Sequence, residues 1–97
     1  MEKITLNNVE YKMPELDFGA MRKLGKLGFK MTDMGKINDN PFEFVSIMVA
    51  FITDTSLEEA DKIMDKSFKT MEEFADIVKK ISDWFANSDF FAKMQAK

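Results

Sequence analysis

The side chains that this chain offers for chemistry are carboxylates, amines, hydroxyls and thioethers. Its 97 residues include 17 Asp/Glu and 14 Lys/Arg but no His and no Cys. Without histidine the commonest general base and the commonest metal ligand are missing. Without cysteine there is no disulfide, thiolate nucleophile or cysteine metal site. Ser56 and Thr70 have no His/Asp partner to activate them, and both read better as helix caps. Neighbouring carboxylates such as Glu58/Glu59 and Glu72/Glu73 point about 100° apart on a helix and do not face each other. Asp61 and Asp65 do share a face, but Lys62 and Lys66 beside them make it an exposed charged surface. Gly25, Gly28 and Gly35 follow a helical pattern and match neither GxGxxG nor the P-loop. Asn38, Asp39 and Asn40 lack the spaced acids, central Gly and closing Glu of a calcium loop. The expectation is a chain with no catalytic, metal or cofactor site, which acts by binding.

Two groups of residues are candidates for that binding. One is aromatic and lies near the C-terminus: Trp84, Phe85, Phe90, Phe91 and Met94. Such a group must fold back on the core or be covered by something else. It is expected either to form a partner surface or to gate one, because chain ends open at low cost. The other is basic: Arg22, Lys23, Lys26, Lys30 and Lys36 stand against Asp33 alone. Arg22, Lys23 and Lys26 are the next partner-binding candidates, against the plainer reading of a solvated face. A formal net charge of −3 argues against a general nucleic-acid binder.

The elements that must position these groups are legible in order. Ile4, Leu6, Val9, Tyr11 and Met13 alternate with polar residues, and Asn7-Asn8 suits a type I′ turn, so Lys3 to Met13 is expected to be a β-hairpin. Asp17 caps a helix running through Phe18, Met21, Leu24 and Leu27 at helical three-to-four spacing. Gly28 then suits a left-handed ending that brings Phe29 onto Leu24. Met31 and Met34 read as a short inward-packed turn, and Lys36 to Asn40 as loop.

The central element is PFEFVSIMVAFIT, Pro41 to Thr53, in which only Glu43 and Ser46 are polar between Phe42 and Ile52. Asn40 at N-cap, Pro41 at the first position and Glu43 at N3 make it a helix. Its apolar run must be buried on most sides, and it falls short of the ~20 residues a bilayer crossing needs. Ser56/Glu59 and Thr70/Glu73 open two more helices as capping boxes. The first presents Leu57, Ala60, Ile63, Met64 and Phe68, with Glu58 and Lys62 paired on its outer face. The second presents Met71, Phe74, Ala75, Val78, Ile81 and Phe85, flanked by Ile77 and Trp84. Asn87 or Ser88 restarts a terminal helical turn, DFFAKMQAK. With 45% hydrophobic and 32% charged residues, the composition is that of a globular protein. The expected fold is α+β, mostly α: one domain over 1–97, with an N-terminal β-hairpin and four or five short helices around the buried central helix. MEKITLNNVEYK has no apolar h-region, so the chain is expected to stay in the cytoplasm, off the membrane.

Together these pieces resemble the tail assembly chaperones of long-tailed bacteriophages and prophages. The resemblance is carried by ITLNNVEYKMPELDF, a hairpin leading straight into a helix, and by MRKLGKLGFKMTDM, a helix closing on Gly-aromatic. SLEEADKIMDKSF after the buried helix and the closing SDFFAKM complete it. It implies a non-enzymatic protein of the infected bacterium's cytoplasm that binds the long helical tape-measure protein and assists tail-tube subunits to assemble around it. No binding residue is carried over from the family. Two other readings stay open: a small cytosolic protein-interaction adaptor, and a regulator that uses the Arg22–Lys36 basic segment on nucleic acid.

Overall fold

In the computed structural model the described residues are 3–29 and 41–88. Strands β1 (Lys3–Leu6) and β2 (Val9–Lys12) pair antiparallel, with Ile4 opposite Tyr11 and Leu6 opposite Val9. Asn7 and Asn8 both take positive φ, 51° and 64°, the conformation of the expected type I′ turn. Ile4 and Leu6 are buried, whereas Val9 across from Leu6 is half exposed. The opposite face is polar, and Lys3 reaches diagonally to Glu10 at 3.4 Å.

Four helices follow: α1 (Phe18–Lys26), α2 (Pro41–Thr53), α3 (Leu57–Ser67) and α4 (Met71–Ala86). An α+β fold dominated by helices is thus what the chain adopts. Local chemistry accounts for the ends of α1. The Asp17 carboxylate accepts from the Ala20 amide at 2.8 Å. At the other end Phe29 N–H donates to Leu24 C=O and Gly28 N–H to Gly25 C=O, with Gly28 at φ +107°. That is the expected Schellman ending. Helix α2 ends in the same pair of bonds: Thr55 N–H to Ala50 C=O and Asp54 N–H to Phe51 C=O. Here the left-handed position is held by Asp54, φ 57°. These two endings predict opposite outcomes. Gly28→Ala should cost about 1–2 kcal/mol, because a Cβ disfavours positive φ even where space is open around it. Asp54→Gly should stabilise by up to ~1 kcal/mol for the same reason. Urea denaturation of both variants checks the pair, and a shift of the same sign in both would contradict it.

Ser56 Oγ accepts from Glu59 N–H at the start of α3, and Thr70 Oγ1 accepts from Glu73 N–H at the start of α4. The return arm of the second box goes one residue further out than expected, from Lys69 N–H to Glu73 Oε2. The surface pair on α3 is Lys62 with Glu59, 3.7 Å apart, not Lys62 with Glu58.

Helix α2 sits at the centre. It packs on α1, α3, α4 and β2, while α3 also covers β1. Seven of its residues are buried: Phe44, Val45, Ile47, Met48, Val49, Ala50 and Ile52. They join Ile4, Leu6, Leu24, Phe29, Met64, Ile81 and Phe85 in one core, none of whose described residues is polar or charged. The rings of Phe29, Phe44 and Phe85 meet pairwise there, with centroids 5.6–6.4 Å apart. Several apolar residues placed on inner faces by spacing alone lie outside instead. Phe18 is 73% exposed, Met71 65% and Phe42 58%, and Ala75 is also exposed. Each sits in the first turn of its helix, except Ala75; Phe42 is covered in part by Phe74 of α4, and Phe18 lies on the side of α1 away from the buried Ala20 and Leu24. The expected Met31/Met34 turn, the Lys36–Asn40 loop with its Asn40 cap, and the terminal turn lie outside the described residues.

Candidate partner-binding groove

The two groups of candidate residues fare differently. Trp84 and Phe85 are buried, and the Trp84 indole N–H donates to the Pro14 carbonyl at 3.2 Å. That bond ties the end of α4 to the segment between hairpin and α1, seventy residues away in sequence. Both rings are therefore part of the core in this state, and neither presents a surface. Phe90, Phe91 and Met94 lie outside the described residues. Arg22, Lys23 and Lys26 are exposed on α1. Lys23 and Lys26, but not Arg22, line a shallow groove of about 490 Å³ with Lys12, Pro14 and Phe51.

A larger groove, about 680 Å³, lies along α2 and α3. Phe42, Leu57, Met64, Phe68 and Phe74 contribute its apolar wall, and Glu43, Asp61 and Asp65 stand among its lining residues. No Lys or Arg lines it among the described residues. Its construction follows from the chain. Phe42 is in the first turn of α2, at the edge of the core, and stacks on the buried Phe74 of α4 with centroids 5.0 Å apart. Phe68 stops α3 in an extended conformation and turns its ring onto Phe74, again with centroids 5.0 Å apart. Leu57 follows the Ser56 cap and remains 39% exposed. Asp61 accepts a hydrogen bond from Ser46 Oγ of α2, which links the two helices at the acidic edge. The groove is thus apolar at its floor, wet along one edge and open to solvent, a form that suits the apolar stripe of a helix.

Comparison with protein-family models, with curated proteins and with solved structures finds no match to this chain. The reading of its function therefore rests on the groove and on the residues themselves. Among the described residues, no cluster of three or more carboxylates is arranged to hold a metal ion, and no helix is long and apolar enough to cross a membrane.

Spacing alone did not reveal this groove. Asp61 and Asp65 read as an exposed charged surface, which they are, while Phe42 and Leu57 read as core. One signal was present: Leu57 directly after a cap, and Phe42 directly after Pro41, occupy first-turn positions that often stay at the edge of a packed face.

Proposed function

We propose that this chain is a non-enzymatic tail assembly chaperone of a long-tailed phage or prophage. It acts in the host bacterial cytoplasm by holding an apolar stripe of the helical tape-measure protein in the groove between α2 and α3 while tail-tube subunits assemble. The observation that carries the reading is the groove itself: an apolar wall built around the exposed ring of Phe42 and the half-exposed Leu57, on a chain with no histidine or cysteine. A long helix that has not yet been enclosed exposes more apolar surface than a soluble chain tolerates. A shallow groove of Phe, Leu and Met covers such a stripe without demanding one sequence, because thioethers and rings adapt to different side chains. The sequence resemblance supplies the identity of the client; the groove supplies the means of holding it. A general protein-interaction adaptor would use the same groove on another helix, so the client's identity separates the two readings.

Co-expression tests it. The chain should keep the tape-measure protein soluble and co-purify with it. Phe42→Asp with Leu57→Asp should weaken capture by roughly 2 kcal/mol or more, as loss of interface anchors does. Because both side chains are already exposed, the thermal midpoint should move little. Undiminished capture by a folded double variant would move the site elsewhere, and the basic groove at Lys23 and Lys26 would be the next to test.

A further inference from the structure

One outward helix face on this chain matches the groove of another copy. On α1, Ala20 and Leu24 are buried, and the opposite side carries Phe18, Arg22 and Lys26, four residues apart in turn. The Phe18 ring is 73% exposed. About two turns further along the helix, beside Lys26, Gly25 leaves open space where a Cβ would stand, so a second backbone can approach closely there. The groove edge on α3 has the same spacing with the opposite sign: Leu57, Asp61 and Asp65. Residues four apart on a helix lie about 6 Å from one another, so the two rows share one pitch. Of the two lysines next to this edge in sequence, Lys62 and Lys66, the first is turned to Glu59.

We propose that the groove of one copy receives α1 of a second, with the helices side by side and running the same way. Phe18 then enters the groove at the Leu57 end, Arg22 meets Asp61, and Lys26 meets Asp65. Burial of the Phe18 ring supplies the attraction. The two exposed ion pairs add little affinity but fix register and direction. The donating face and the receiving face are different surfaces, so the contact is heterologous and builds rings or open chains instead of a closed two-fold dimer. This goes beyond the chaperone reading, since it stands on this chain alone. A second copy occupies the groove until a client helix takes it.

Sedimentation velocity of the full chain over a wide concentration range tests the idea. The 11.2 kDa monomer should give way to larger species as concentration rises, and less so at high salt. Arg22→Glu/Lys26→Glu and Asp61→Lys/Asp65→Lys should each weaken association by about tenfold or more. All four changes in one chain, or a mixture of the two double variants, should restore it, because the reversed rows again match. Phe18→Ala should weaken association without touching any charge, and circular dichroism checks that every variant is folded. Loss in each double variant without recovery in the mixture would overturn the proposal. So would a wild-type chain that stays monomeric at all concentrations while a lysine-flanked amphipathic probe peptide binds its groove. The second result would leave the chaperone reading standing and assign the groove to a foreign helix only.

Discussion

Phe44→Ala should lower the unfolding free energy by about 3–5 kcal/mol, the range for deleting a buried ring. Phe44 is 5% exposed and meets both Phe29, just past α1, and Phe85, near the end of α4. Removing its ring opens a cavity that three elements share, and none can close it without dragging the others. A domain of this size is typically stable by about 5–15 kcal/mol, so the variant should be close to unfolding at 37 °C. Phe42→Ala, two residues earlier on the same helix, is the control. Its ring is 58% exposed and has one stacking partner, Phe74, so its loss should cost no more than roughly 1 kcal/mol. Urea denaturation followed by circular dichroism measures both. Equal midpoints for the two variants would mean that α2 is not the centre of the core.

Trp84→Ala should be about as costly, roughly 3–5 kcal/mol. The indole is 7% exposed and is the link between the end of α4 and the Pro14 turn. Trp84→Phe separates the two contributions. It keeps most of the apolar contact but removes the N–H donor, leaving the Pro14 carbonyl short of a partner, at a cost of about 1–3 kcal/mol. A Trp84→Phe variant as stable as wild type would show that the bond to Pro14 contributes nothing. The result also bears on binding. If Trp84 is this costly to remove, then it cannot serve as a spare surface, and a partner must meet the chain at side chains that are already open.

How far the chain explains itself depends on the range of the interaction. The turn at Asn7-Asn8, the caps at Asp17, Ser56 and Thr70 and the left-handed Gly28 were all legible, because each is a contact between residues a few positions apart. The burial of α2 was legible too, since a run with so few polar residues leaves no face for water. What periodicity does not encode is which apolar positions a neighbour reaches. Met71 fits its stripe and still faces solvent, and Phe18 lies on the side of α1 away from the buried Ala20 and Leu24. The same limit hid the groove. Its lining comes from α2, α3, α4 and the residue at the end of α1, Leu27, so it exists only once these helices are packed together. The C-terminal aromatics posed the inverse problem: Trp84 and Phe85 fitted the apolar sector of α4 and, being near the end, a partner surface equally well, and a bond spanning most of the chain holds the first of them inside.

The central claim is that the groove between α2 and α3 holds a helical tail protein, and photo-crosslinking tests it most directly. A photoreactive residue is placed at Leu57, inside the groove and 39% exposed, or at Val9, on the hairpin and 48% exposed. Both sites are open enough to accept the change without loss of the fold. Co-expressed with the tape-measure protein and irradiated, the Leu57 variant should form a covalent adduct with it and the Val9 variant should not. Adducts of equal yield from both sites, or from Val9 alone, would contradict the account.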